Sequence, residues 1–252
     1  MKKIQLIGIG LSLTFLAATT IAQDDDEPQR FTYATYFYCS ANGQSRADEI
    51  TERGAPLMDE LVDKGVLKAW GWLAHHTGGQ WRRIAYSTAD SLDGLFEAQD
   101  KINEAFVEKY GEDDPTNEEF GAACPRHDDY IWQFESGTVG QERGEVGFSV
   151  YHVCDINREE RADEIVAEHV APILDQFVED GKLTSWGWMS HVVGGRFRRI
   201  QTMTAPDLST LVQARTDAID AIYAEDSEAG TEFSEICGPH VDYIWNIVHE
   251  KP

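Results

Sequence analysis

The sequence predicts an α+β fold: two βαββαβ units in one chain, packed sheet to sheet as an intramolecular barrel. Three observations carry this. Most of the chain matches itself, and both copies run through the same order of strand-like and helix-like segments. That order puts both helices of a unit on one sheet face and leaves the other face in need of a cover.

The repetition is plainest in one stretch. "AWGWLAHHTGGQWRRI" (69–84) returns as "SWGWMSHVVGGRFRRI" (185–200), each with two tryptophans about a glycine, a histidine, a Gly-Gly pair and Arg-Arg-Ile. Outward from it, "YFYCSANGQSRADEI" (36–50) answers to "YHVCDINREERADEI" (151–165), and "CPRHDDYIW" (124–132) to "CGPHVDYIW" (237–245). Cys39 and Cys154 stand 115 residues apart and Cys124 and Cys237 stand 113 apart, so short insertions lie between, where loops tolerate them. Copies of this length are two small units; a solenoid needs shorter and more numerous repeats.

Each unit opens on a strand, "FTYATYFYC" or "VGFSVYHVC", rich in aromatic and β-branched residues. A helix follows. Ser45 stands three before Asp48 as in a capping box, and Ala162, Ile165, Val166, Ile173, Leu174 and Phe177 recur at helical spacing. Pro56 and Pro172 fall inside this segment and predict a kink or a restart. Two short strands come next, joined at Gly78-Gly79 or Gly194-Gly195, a two-residue hairpin signal. A second helix begins near Asp90 or Asp207, with Leu92, Leu95, Phe96 and Phe106 on one side, and Leu208, Leu211, Val212 and Ile222 in the other copy. "DYIWQFE" or "DYIWNIV" closes the unit as its last strand.

That order is the ferredoxin-like split βαβ unit. In tandem, from Phe31 to His249, the chain resembles the dimeric α+β barrel superfamily in a fused form, an intramolecular pseudo-dimer. The resemblance rests on element order and duplication, with no family-specific catalytic motif. It implies antibiotic-biosynthesis-type monooxygenases, haem-handling enzymes and small cyclases as relatives, so fold leaves function open. It also implies that first and last strands are antiparallel neighbours, which brings Cys39 to Cys124 and Cys154 to Cys237. Two such disulfides would contribute about 3–5 kcal/mol each. The alternative, redox or metal-binding cysteine pairs, has no C-x-x-C spacing to support it.

The boundaries read as signal peptide 1–22, acidic disordered linker 23–30, first unit 31–136, linker 137–146 and second unit 147–252. "MKK" is basic, "IQLIGIGLSLTFLAATTIA" is apolar and short for a membrane span, and "QDDDEPQR" is abruptly acidic. A periplasmic or secreted protein, free of the membrane after signal cleavage, is expected. The net charge of −24, from 45 acidic against 21 basic residues, disfavours nucleic acid and anionic membranes as partners. An anionic ligand would need a local basic pocket. Nucleophile elbow, phosphate-cradling loop and H-E-x-x-H helix are all absent, and the "GIG" at 8–10 lies within the signal peptide.

The Gly-Gly turn sets Leu73 opposite Ile84 and Trp72 opposite Ala85. Alternation then puts Gly71, Leu73, His75, Arg82 and Ile84 on one face, and Trp70, Trp72, Ala74, Trp81 and Arg83 on the other. The glycine and aliphatic face suits packing under helices, so Trp72, Arg83, Trp188 and Arg199 become candidates to line the barrel interior and bind a ligand. They equally suit a plain filled core. His75 and His191, opposite arginines that disfavour the imidazolium, are candidate proton-transfer residues or hydrogen-bonded turn residues. His127 with Asp129 and His240 with Asp242 share strand faces as oriented imidazoles, read as a polar network beside the disulfides.

The leading expectation is a small aromatic or amphipathic ligand bound in the barrel interior and acted on, if at all, without a metal or other cofactor. The alternatives are haem held by His75 or His191, and a non-catalytic interaction protein with a filled barrel.

Overall fold

The computed structural model describes residues 29–138, 143–224 and 227–252. The expected signal peptide, most of the acidic linker and the centre of the 137–146 linker lie outside these residues. The first repeat comprises β1 (Phe31–Tyr38), α1 (Gln44–Asp63), β2 (Ala69–Gly78), β3 (Arg83–Ala89), α2 (Leu92–Tyr110), α3 (Pro115–Ala123) and β4 (Arg126–Thr138). The second comprises β5 (Val146–His152), α4 (Glu159–Ile165), a π-helical turn (Val166–Val170), α5 (Ala171–Glu179), β6 (Ser185–Val193), β7 (Arg199–Ala205), α6 (Leu208–Ile222), α7 (Glu228–Cys237) and β8 (His240–Lys251).

The eight strands close into one antiparallel barrel, ordered β1-β3-β2-β8-β5-β7-β6-β4, with the helices outside. The repeats meet at two seams, β2 with β8 and β4 with β6. Register shifts at Trp72/Leu73, His75/Thr77, Ile131/Trp132 and Phe134/Ser136 lie on these seams. Such bulges bend a strand, which closure requires. Leu73 pairs with Ile84 and Trp72 with Ala85 as expected, but the β2–β3 ladder ends at Ala74 and Arg83, and Thr77 and Gly78 pair with Ile244 and Tyr243 of β8, so the connection is longer than a two-residue turn. Both disulfides form, Cys39–Cys124 and Cys154–Cys237, and both lie at the hairpin end of the barrel. Among the described residues, no helix is long and apolar enough to cross a membrane.

Three of the helix expectations change. α1 runs unbroken through Pro56, because Gly54, Ala55, Leu57 and Leu61 bury its inner face on both sides of the proline. In the second repeat the helix does restart, and the cause is an insertion. Asp48 and Asp163 stand 115 residues apart but Pro56 and Pro172 stand 116 apart, and the π turn takes up the extra residue. Ser45 lies inside α1, whose N-cap is Gly43, and Asp48 is committed elsewhere, as shown below. Finally, α3 and α7 are additional helices. Asp114 caps α3 by accepting from the Thr116 N–H at 3.1 Å, with Pro115 in the first turn.

Candidate functional site

The two faces of the doubled hairpin are reversed relative to expectation. Trp72 and Arg83 point toward α1, not into the barrel. Asp48 accepts from Trp72 Nε1 at 2.8 Å and from Arg83 Nε and Nη2 at 2.6 Å each. In the second repeat Asp163 accepts from Trp188 Nε1 at 2.8 Å and from Arg199 Nε and Nη2 at 2.7 and 2.6 Å. The outer tryptophans follow suit, Trp70 on Asp59 and Trp186 on Asp175. Indole and guanidinium N–H groups need acceptors when buried, and the acidic helices supply them. Gly71 lies on the inward face, where the Tyr86 ring occupies the space that a Cβ would take.

His75 and His191 sit at the hairpin end, edge-on to Tyr243 and Trp245 and to Tyr130 and Trp132 respectively. Burial holds both imidazoles below their usual range. The Gly78 carbonyl partly offsets this for His75, and Arg198 adds to it for His191. That end of the barrel is plugged. Trp81 stacks on Tyr36 (4.3 Å) and Tyr243 (5.2 Å), with Tyr130, Tyr151 and Phe197 around it. Tyr243 Oη also accepts from the Gln80 N–H at 2.8 Å, and its ring leaves no room for a Cβ at Gly79. The Gly-Gly pair is thus needed for the plug as well as for the turn. His127–Asp129 (3.3 Å) and His240–Asp242 (3.6 Å) pair on the surface near the disulfides.

The opposite end opens on a cavity of about 340 Å³ inside the barrel. Its floor is Tyr36, Trp132, Tyr151 and Trp245, and its walls include Leu73, Ile84, Phe134, Met189 and Ile200. In the first repeat, Trp132 Nε1 donates to Tyr36 Oη at 3.0 Å. The matching pair in the second repeat is open: Trp245 Nε1 and Tyr151 Oη are buried and have no hydrogen-bond partner among the described residues. Burial pushes the Tyr36 and Tyr151 phenols well above their usual range, so both stay neutral and able to donate. Tyr86 fills one half of the mouth, with its hydroxyl on Glu250. Its counterpart is the smaller Thr202, and both line the cavity.

Arg143, from the segment between the repeats, completes the wall. It donates from Nη1 to Glu250 at 2.8 Å and to Tyr86 Oη at 3.2 Å, and from Nε to Ser185 Oγ at 3.3 Å. Burial opposes its charge, but Tyr86 and Glu250 hold the guanidinium pKa above its ordinary value. Nothing in the sequence pattern marked Arg143, because it belongs to neither repeat.

A second cavity of about 390 Å³ lies on the other sheet face, under α1, α2 and α3, and Trp72 lines it. Three of the polar groups around it are paired: Ser87 accepts from Gln99 at 2.8 Å, and both tryptophans donate to aspartates. The second repeat buries Val166, Val170 and Met203 in its own helix-to-sheet core. Where the first repeat has Phe37, it also has His152, which is buried, and burial pushes its pKa down to about 4. An unfolded histidine titrates near ~6.5. The unfolded state therefore binds more protons between these values. Stability is expected to be full above pH ~6.5, to fall by about 3 kcal/mol as pH drops through the window, and to level off below it. Denaturant titrations against pH check this, and His152→Phe should flatten the slope.

The residues around the barrel cavity do not fit a histidine-held haem. Neither His75 nor His191 lines it, and no histidine or cysteine does. Among the described residues, no cluster of three metal-ligating side chains occurs.

No protein-family model matches the sequence, and no curated protein matches it. Solved structures do match in shape. A protein from Fusobacterium nucleatum subsp. nucleatum ATCC 25586, provisionally assigned as a monooxygenase, superposes with a TM-score of 0.57 at 9% identity, over 90% of this chain and 95% of that one. One from Lactobacillus acidophilus NCFM, assigned in the same way, gives 0.56 at 8% identity over 88% and 96%. An anthrone oxidase-like protein gives 0.52 at 12% identity over 90% and 94%. With its closed eight-stranded barrel and outer helices, the chain shares the α+β barrel fold of these proteins.

Proposed function

We propose that this is an exported binding protein for a one- or two-ring aromatic molecule carrying an oxygen substituent, taken up in the barrel cavity. One observation carries the reading: the unpartnered Trp245 N–H and Tyr151 hydroxyl on the aromatic floor of the chamber. Leaving such groups unsatisfied costs about 1–3 kcal/mol each, and a ligand oxygen placed between them recovers that. The volume sits at the small end of ligand pockets, which suits one or two rings. Two disulfides suit an oxidising compartment outside the cytoplasm.

The placement favours binding over proton-transfer chemistry. The phenols at the floor are held neutral, and His75 and His191 lie beyond the aromatic plug. A solidly filled barrel, the interaction-protein alternative, does not account for the chamber.

Calorimetric titration with methyl 4-hydroxycinnamate and with methyl cinnamate, which lacks the hydroxyl, tests the reading. The hydroxylated ester is expected to bind about five- to tenfold more tightly, as one buried hydrogen bond allows. Trp245→Phe and Tyr151→Phe should each shrink that preference. Equal affinities, or no heat with either compound, would count against the site.

A further inference from the structure

The geometry points to an anionic ligand: an aromatic carboxylate whose charged end rests on Arg143 at the cavity mouth, with its far oxygen on Trp245 and Tyr151. This rests on the binding reading above and names the ligand class. The side chains lining the cavity include Arg30, Lys68 and Arg143 and no aspartate or glutamate. Asp90 and Glu250 pair with Lys68 and Arg143 from behind the lining, which leaves a small positive excess around the chamber in a chain of net charge −24. The surrounding field repels anions, so only a locally cationic chamber can admit one.

The three cations are not equally free. Lys68 is bound to Asp90 at 2.6 Å, and Arg143 directs Nη1 to Glu250 and Nε to Ser185. Arg143 Nη2 makes no hydrogen bond to a described residue, and the guanidinium lines the cavity, so two N–H groups remain to be offered there. Arg30 stands exposed at the rim without an ion pair to a described residue. Glu250 and the Tyr86 hydroxyl hold the Arg143 head in place from behind, so a carboxylate meets a pre-positioned donor in a partly dry wall, where charge-assisted hydrogen bonds are strongest.

The test compares 4-hydroxycinnamate with its methyl ester by calorimetric titration of the full chain. The acid is expected to bind about tenfold more tightly at low salt, and the gap should close as salt rises from about 20 mM to about 500 mM. Arg143→Gln combined with Glu250→Gln leaves net charge unchanged and strands no buried carboxylate. It should cut the acid's advantage over the ester to less than twofold. Should the wild type bind acid and ester equally, or show a salt-independent gap, the charge inference is overturned. The hydroxyl preference of the esters then still reports on the cavity. If neither compound binds, both readings fall together.

Discussion

Replacing Cys39 and Cys124 together by alanine is expected to lower the unfolding free energy by about 4.5 kcal/mol. The estimate comes from loop closure. The bond joins residues 85 apart, and the unfolded chain regains the freedom to separate them once the bond is gone. The second bond spans 83 residues, so the same change at Cys154 and Cys237 should cost a similar amount. Urea unfolding followed by tryptophan fluorescence measures both, and a loss below ~1 kcal/mol would show that the unfolded chain is already held compact by other means. Because both bonds lie at the plugged end, ligand affinity in the open chamber should change little in whatever fraction remains folded.

Asp48→Ala is expected to cost about 3–5 kcal/mol. It strands the Arg83 guanidinium, whose side chain is only 7% exposed, together with the indole N–H of Trp72. The matching change at Asp163 should cost visibly less. Arg199 keeps a second carboxylate, Glu159, at 3.1 Å, whereas Arg83 keeps only neutral acceptors, Gln44 at 2.9 Å and the Arg82 carbonyl at 2.7 Å. Asp48→Asn should fall between, since it preserves an acceptor and removes the charge. Paired unfolding curves of the two alanine variants check the order. Equal losses would mean that Glu159 does not take up the orphaned arginine.

The fold was legible because it depends on periodicity and order, which the duplicated stretches display twice. The cysteine pairing followed from the strand adjacency that the resemblance implied. The orientation of the hairpin was not legible. Alternation in a strand separates two faces but does not say which is inside, and both faces here are apolar enough to be buried. The deciding signal was present in "RADEI", repeated at Asp48 and Asp163. A duplicated aspartate on a helix, facing a duplicated Trp and Arg, marks the helix side of the sheet. Likewise "DDPTNEE" held a cap and a first-turn proline for α3. The floor residues Tyr36, Trp132, Tyr151 and Trp245 were visible as repeated aromatics. That one Trp–Tyr pair is closed and the other open depends on packing that no pattern records, and Arg143 comes from the segment where the two copies cannot be compared.

The two seams have a consequence for how the chain behaves on dilution. A barrel assembled from separate subunits comes apart on dilution, as mass action requires. Here the partner half is tethered, so its effective concentration is fixed by the connecting peptide and does not fall with the surroundings. The chamber should therefore persist at nanomolar protein, and its melting temperature should be independent of how much is in the tube.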